Sequence, residues 1–430
     1  MERRIATSGF GLAVLAVLVT ASAAAAQVQS VTLDEAIDLA LQSQPAMVQA
    51  RGQVTSAIAT KRQTFGSWLP TISASSGYST NSVTRFDEST QRTVVGSSTS
   101  YSAGLNANLT LFDGLGRLYD GRAAGADATA AEAGLVNQRF QTALQTKQTF
   151  FAALATDELV RVSQTRIDRA TEQLKVSREK LAAGTATRSD TLRSSVEVAN
   201  ARLQMLNAQT QLATAEANLA RLIGVDGSIK PVREERFVAI AVVDTTTLRE
   251  EALARSPAVY QADAQAKAAE ASFAATFSDY LPRLTASYSR SWAGSEFFDW
   301  NPSWTLRLSA SWPLFNGFSR ELSRTRGRVT RDNARAQAED TRRRVNSDLT
   351  QHLASLAAAQ TSLEIALANR VASEEDLRVQ QERYRLGAAT ILDVLTSQIN
   401  LDQAEVDIVQ ARFDYLVAKA QIEALIGREL

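Results

Sequence analysis

The chain is one structural unit written twice, and that duplication constrains its fold more than any single motif does. Pro45 in Ser-Gln-Pro-Ala corresponds to Pro257 in Arg-Ser-Pro-Ala, and Trp68-Leu69-Pro70 to Tyr280-Leu281-Pro282, both shifted by 212 residues. Leu111-Phe112-Asp113-Gly114 corresponds to Leu314-Phe315-Asn316-Gly317, Gly184 to Gly387, Asp190 to Asp393, and Leu222-Ile223-Gly224 to Leu425-Ile426-Gly427, all shifted by 203. The two shifts differ by nine residues, and the difference falls between Pro70 and Leu111. A loop that is longer in the first copy is expected there.

Each copy reads as the same order of elements. A helix over about 31–66, and again over about 244–278, runs to a proline that stops it. Two strands follow, within 70–113 and 282–315, separated by polar loops over 79–99 and 294–302 that are expected to face the exterior. A long helix covers about 117–183 and again about 320–386, ending at a glycine suited to a left-handed C-cap. A last helix runs to Gly224 or Gly427. At about 1.5 Å per residue the long helices reach on the order of 100 Å, the scale of the periplasmic gap. The repeats are placed at 27–224 and 244–430, joined by a linker over 225–243.

The strands alternate. Tyr101, Ala103, Leu105, Ala107, Leu109 and Leu111 interleave with Ser102, Gly104, Asn106, Asn108 and Thr110, and Trp304, Leu306, Leu308, Ala310 and Trp312 with Ser303, Thr305, Arg307, Ser309 and Ser311. Leu284, Ala286, Tyr288 and Trp292 repeat the pattern, and Ile72, Ala74 and Tyr78 echo it. Half-buried strands of a soluble sheet alternate in the same way. Ring side chains near the strand ends, a small and wet polar face, and export favour a membrane barrel instead. Four strands cannot close, and lipid admits no open edge, so several chains must share one barrel. Two chains give eight strands, filled by their own side chains; three give twelve, with room for water.

Export is read from the first 26 residues. Arg3 and Arg4 precede an apolar core over 9–20 that is too short to span a bilayer, and Ala24-Ala25-Ala26 offers small residues before Gln27. There is no cysteine, which excludes disulfides, thiolate metal sites and cysteine nucleophiles. Lys+Arg and Asp+Glu balance at 46 each, so no general attraction to nucleic acid is implied. The arginines over 320–344 read as a solvated helix face beside Glu339 and Asp340. His352 is the only histidine, so no histidine pair exists for a metal, and no cofactor or catalytic constellation is found. The chain does not read as an enzyme.

The last helices carry two adjacent apolar seams. Leu192, Val196, Ala199, Leu203 and Leu206 form one, and Val198, Met205, Leu212 and Leu219 the other; Leu395, Ile399, Val406, Val409, Phe413 and Leu416 accompany Val394, Leu401, Ile408, Tyr415 and Ile422 in the second copy. One heptad seam serves one partner, and two seams serve a neighbour on either side, as in a closed cylinder. An ordinary helical bundle gives similar stripes but supplies no reason for the length or the β insert.

The duplication, the Leu-Pro entry into each strand pair, the Leu-Phe-Asp/Asn-Gly strand ends and Tyr384-Arg-Leu-Gly387-Ala-Ala-Thr-Ile-Leu-Asp393-Val-Leu together resemble the TolC-like outer-membrane efflux and secretion ducts. The resemblance covers essentially the whole mature chain. It implies an α+β fold: an internally duplicated long-helix tunnel plus four membrane strands per protomer, completed as a twelve-stranded barrel by trimerisation in outer-membrane lipid. It also implies work with a periplasmic adaptor and an inner-membrane pump, moving drugs, metals or proteins outward without chemistry. Asp393 falls on a position where the family places an acidic residue at the entrance, and Asp190 is its counterpart in the first copy. Three such residues would form a charged ring. Thr187–Asp190 and Thr390–Asp393 have capping-box spacing as well, so a helix cap is an equally open role. Tyr384 matches a tyrosine that ties neighbouring hairpins, with a bond to Asp190 expected. The sequence departs from the family pattern at Thr396, where a second acid is expected, and at Ala389, where an arginine tie is expected; Arg188 is the candidate to compensate. The competing reading is a non-channel periplasmic or surface coiled-coil adaptor whose β segment is a small ordinary domain. An exported hydrolase is a third.

Overall fold

A computed structural model describes residues 29–89, 91–234, 252, 254–297 and 299–430. The export segment 1–26 and residues 235–243 of the linker lie outside the described residues. In chain order the elements are β1 (Gln29–Val31), α1 (Leu33–Ser43), α2 (Pro45–Gly66), β2 (Thr71–Asp87), β3 (Arg92–Phe112), α3 (Gly116–Ala182), α4 (Arg188–Ile223), β4 (Ile229–Pro231), α5 (Pro257–Ala275), β5 (Arg283–Glu296), β6 (Asp299–Ser311), α6 (Ser319–Arg385) and α7 (Ile391–Ile426). The long helices α3 and α6 are each 67 residues, and α4 and α7 each 36. Equal lengths in the two copies follow from the ungapped shift of 203.

Three expectations need correction. The first helix of each copy is broken at its proline. Gln44 and Ser256 are extended (ψ 129 and 124), because a proline ring excludes helical backbone at the residue before it and cannot donate to the helix ladder. The helix expected to 278 ends at Ala275 and continues as one 3₁₀ turn, Thr276–Tyr280. The expected polar loops are strand: β2 and β3 pair in unbroken register from Thr71↔Asn108 to Asp87↔Arg92, so the longer connection of the first copy is a tall hairpin. Its upper part, mostly polar, is held as ladder by the cross-strand bonds of β2 to β3 alone.

The sheet order is β2-β3-β5-β6, antiparallel throughout. Its register collects the alternating positions on one face. Tyr78 lies opposite Tyr101, Ala107 opposite Tyr288, Leu109 opposite Ala286 and Leu308 opposite Ala286, giving an apolar surface across all four strands. Ser, Thr, Asn and Gly, with Arg283 and Arg307, occupy the reverse face, and Arg290 interrupts the apolar one between Leu105 and Trp304. Rings cluster at the upper rim, where Tyr78 and Tyr101 meet tilted at 5.2 Å and Tyr101 and Phe297 edge to face at 5.4 Å, and Trp312, Phe315 and Phe318 lie exposed at the lower. Tyr101 to Phe112 along a tilted strand spans on the order of 25–30 Å, the height of a hydrocarbon core. Among the described residues no helix is long and apolar enough to cross a membrane.

An arginine fixes the strand-to-helix corner in each copy. Arg117 lies over the Trp68 ring at 4.3 Å and donates to the Leu111 carbonyl (3.2 Å) and the Asp113 carboxylate (3.1 Å). Arg320 lies over Tyr280 at 4.8 Å and donates to the carbonyls of Pro313 and Leu314. Midway along the rods, β1 pairs in parallel with β4, tying the start of the described chain to the inter-repeat linker. Around them sits the main core, with Val31, Phe150, Leu154, Leu219, Ile223, Ile229, Leu349, Phe413, Ile422 and Ile426 fully or almost fully buried.

Candidate gate at the hairpin tips

The α3–α4 and α6–α7 hairpins turn at the end of the molecule remote from the sheet. Gly184 (φ 73) and Gly387 (φ 75) take the left-handed turn that ends each long helix. The next helix then starts on a capping box. Asp190 accepts from the Thr187 amide at 2.8 Å while Thr187 Oγ1 accepts from the Asp190 amide at 3.2 Å; Thr390 and Asp393 repeat this at 2.8 and 3.3 Å. Asp393 also accepts from the Thr390 hydroxyl at 2.8 Å. Those bonds from Thr390, with Arg383 nearby, hold the exposed Asp393 carboxyl below the usual aspartate range, so it stays charged.

The remaining sequence-predicted residues sit around these caps. Arg188 is the exposed first residue of α4. The Thr396 hydroxyl is engaged locally, donating to the Leu392 carbonyl at 2.9 Å. Tyr384 is buried against Leu377, Ile391, Val394 and Leu401. Its hydroxyl has no hydrogen-bond partner among the described residues. The expected bond between Tyr384 and Asp190 is therefore absent from the single chain; the Asp190 carboxylate is taken up by its own cap.

What joins the two hairpins at their tips is Lys180, which carries no local sequence signal because its partners lie some two hundred residues away. Its Nζ lies 4.4 Å from the Tyr384 ring centroid and donates to the carbonyls of Tyr384 and, at 3.2 Å, Arg385. Those carbonyls belong to the last turn of α6, where a cation meets the negative end of the helix dipole. Three turns higher is a second junction. Arg166 pairs with Glu197 (2.7 Å) and Asp402 (3.0 Å), and Arg169 with Asp402 (2.9 Å) and Glu405. Asp402 is 4% exposed. Burial pushes its carboxyl up to about 6, against the pull of Arg169 and Arg166. The signal for this junction was two arginines three apart on one helix and two acids three apart on another, visible only once α3 is known to face α7.

The seams divide as two-neighbour packing requires. On α4, Val198 and Leu219 are buried within the chain, whereas Leu192, Val196, Leu203 and Leu206 are each 58–60% exposed. On α7 the inner seam (Val394, Leu401, Ile408, Tyr415, Ile422) is buried throughout, and the outer one is exposed toward the tip at Ile399.

The family model of outer membrane efflux proteins matches residues 36–225 and 248–428. The chain belongs to the outer membrane efflux protein family. The pyoverdine export outer membrane protein OpmQ of Pseudomonas aeruginosa is 28% identical over 338 residues, 76% of this chain and 70% of OpmQ. The solved CusC structure superposes with a TM-score of 0.81 at 16% identity, covering 92% of each chain. The Campylobacter jejuni CmeC outer membrane channel does so at 0.78 and 17%, covering 92% of this chain and 85% of CmeC. The protein is an outer-membrane efflux channel component, with its strands in the outer membrane and its helices in the periplasm. The reading as a coiled-coil adaptor is thereby set aside.

Proposed function

We propose that three copies of this chain close a twelve-stranded barrel and a twelve-helix tunnel, forming the exit duct of a tripartite efflux pump or type I secretion system. Residues 1–26 direct export, and the repeats 27–224 and 244–430 contribute equally to the wall. The observation that carries this reading is the pair of unpaired sheet edges, β2 and β6, flanking an apolar face. A lipid-exposed sheet must have no open edge. The exposed outer seam of α4 gives the helical part the same requirement.

In this assembly the duct performs no chemistry. It conducts cargo delivered by an inner-membrane pump through a periplasmic adaptor. Asp393 contributes one carboxylate per protomer to a ring at the entrance, and because its bonds to Thr390 keep it ionised, the ring remains negative through the periplasmic pH range and favours cations. The helix cap and the ring charge are compatible roles: the cap uses one face of the carboxylate and fixes it in place.

The test is single-channel conductance of the detergent-extracted protein in a planar bilayer. Discrete conductance steps with cation preference are expected, and Asp393→Glu is expected to retain that preference while Asp393→Asn loses it. Absence of conductance from an intact trimer would remove the duct reading, and unchanged ion preference in Asp393→Asn would remove the ring.

A further inference from the structure

Just below the sheet, α3 presents different chemistry on its two sides. Gly116 and Asp120 border a cleft that they share with Arg283 and Ser311, which belong to the polar, inward face of the strands. Leu118 and Arg122 follow Gly116 and Asp120 by two residues each, so they stand about 200° round the helix, on the outer surface of the wall. Asp120 therefore faces inward and Arg122 outward. Alongside, α2 carries Lys61 and Arg62 and no acidic residue.

On that outer surface α2 and α3 enclose a cleft of about 300 Å³. Its floor is apolar, made by Phe65, Trp68 and Leu118, all of them exposed. Its lip on the side away from the sheet is Lys61 and Arg122. Arg117 forms the back wall and is already engaged, lying over Trp68 and bonded to Asp113 and to the Leu111 and Ser67 carbonyls. Lys61 and Arg122 are not engaged in this way. Neither makes an ion pair among the described residues, and Arg122 approaches only the Tyr119 ring, at 5.8 Å. Two uncompensated cations beside three exposed apolar side chains match a ligand that is anionic at one end and apolar at the other.

The depth of the cleft selects the ligand. Trp68 lies three residues before the first residue of β2, Thr71, and Ile72 is the first apolar position of that strand. The interfacial layer beneath the hydrocarbon is on the order of 5–8 Å deep. Lys61 is about 10 Å along the helix from Trp68, close enough for its flexible stem to carry the ammonium up into that layer. Rings at the hydrocarbon boundary with cations just beneath them are suited to hold a phosphate headgroup. We propose that this cleft binds one anionic phospholipid of the periplasmic leaflet per protomer, its phosphate on Lys61 and Arg122 and the start of its acyl chains on Phe65, Trp68 and Leu118.

The second copy supplies the contrast. The shifts of 212 and 203 carry Lys61 to Phe273, Arg62 to Ala274, Leu118 to Glu321 and Arg122 to Thr325. Both lip cations are replaced, an acid stands in the floor, and the Phe273 ring is covered by Arg324 and Arg331 at 5.5 and 4.6 Å. The scaffold is repeated but the site is not, which sets the number at one lipid per protomer rather than two. The inference rests on the barrel proposed above only for which side of the wall faces outward.

Native mass spectrometry of the full chain in detergent counts the lipids retained as phosphatidylglycerol or phosphatidylcholine is titrated in. One tightly held phosphatidylglycerol per chain is expected, with no phosphatidylcholine retained at the same concentration. Lys61→Gln combined with Arg122→Gln should weaken that step about thirtyfold, each cation contributing about a factor of five. Leu118→Glu, which installs a side chain the second copy tolerates at the same place, should also abolish it. Arg343→Gln combined with Arg344→Gln, an equal loss of charge farther from the sheet, should leave it unchanged, and circular dichroism should show equal helix content throughout. Undiminished retention by the Lys61 and Arg122 variant, or equal retention of the two lipids by the natural chain, overturns the site. Displacement of the lipid by excess inorganic phosphate overturns the amphiphile, because the apolar floor then contributes nothing. The spectra report the oligomer as well. Trimers without selective retention overturn the site and leave the duct standing, whereas monomers that retain one phosphatidylglycerol sustain the site and overturn the duct.

Discussion

Arg169 on α3 donates from Nη2 to Oδ1 of Asp402 on α7 across 2.9 Å, joining the first hairpin to the second well above their tips. The surrounding group comprises two guanidiniums, Arg166 and Arg169, and three carboxylates, Glu197, Asp402 and Glu405, with Glu374 of α6 also felt by Arg169. One negative charge is in excess, and the most buried carboxyl, Asp402, takes up a proton near pH 6. The folded state thus holds this proton more tightly than the unfolded chain does. Its contribution to stability is complete below the unfolded aspartate value and is lost as the pH rises through about 6. Lowering the pH from about 7.5 to about 5.5 should therefore stabilise the hairpin junction by about 1 kcal/mol. Thermal unfolding of the detergent-solubilised protein at the two pH values measures this. Asp402→Asn should flatten the dependence, and an identical slope in the variant would count against the assignment.

The tip contact predicts an asymmetry between two neighbouring side chains. Tyr384→Phe removes a hydroxyl that has no partner within the chain, so stability and conductance should stay within about 0.5 kcal/mol and experimental scatter. Lys180→Met keeps the length of the side chain but deletes its bonds to the Tyr384 and Arg385 carbonyls, at a cost of about 1–2 kcal/mol to the contact between hairpins. Its single-channel conductance should rise as the tip loosens. If Tyr384→Phe opens the channel and Lys180→Met does not, the hydroxyl has a partner in the assembled duct, and the tie expected from the family resemblance is made between chains.

The outer seam of α4 separates folding from assembly. Leu203 and Leu206 are 59% and 60% exposed in the single chain, so Leu203→Glu with Leu206→Lys should leave helix content and the internal core untouched. The same pair should prevent association, because even a Glu–Lys pair taken into an apolar seam loses more hydration than its mutual attraction restores, at a cost of several kcal/mol. Circular dichroism together with sedimentation in detergent reads both. Loss of helix content would show that the seam is needed within the protomer.

Most of the scaffold was legible because it is periodic and repeated. The ends of α3, α4, α6 and α7 fall within a residue or two of the glycines that punctuate the sequence, and the alternating strand positions reach one face as the pattern demands. The breaks before Pro45 and Pro257 are local, one extended residue inside an otherwise helical pattern, so the helical periodicity on either side masks them. β1 and β4, three residues each, are too short to show a period and exist through tertiary pairing. At the gate, the capping boxes were readable because their partners are three residues apart. Lys180 and Asp402 were not, since their partners are separated by more than two hundred residues and only the meeting of the two hairpins brings them together.

The corner arginines offer a test of what an ion pair adds to an otherwise matched site. Arg117 and Arg320 occupy equivalent positions, lie over equivalent rings and each hold one equivalent carbonyl, Leu111 or Leu314. They differ at the acidic partner: Asp113, whose side chain is 12% exposed, is replaced in the second copy by Asn316, and Arg320 turns instead to the more exposed Glu321; their second carbonyls differ too, Ser67 for Arg117 and Pro313 for Arg320. Truncating Arg117 leaves a nearly buried carboxylate without its guanidinium, so Arg117→Ala should cost about 3 kcal/mol or more. Arg320→Ala strands only carbonyls and should cost about 1–2 kcal/mol, since its own acidic neighbour, Glu321, reaches solvent. Denaturant unfolding of each variant in detergent gives the comparison. Adding Asp113→Asn to Arg117→Ala should bring the first corner to the value of the second. If the two single arginine variants already cost the same, the stacking on Trp68 and Tyr280 and the carbonyl bonds carry the corner, and the Asp113 pair adds nothing to it.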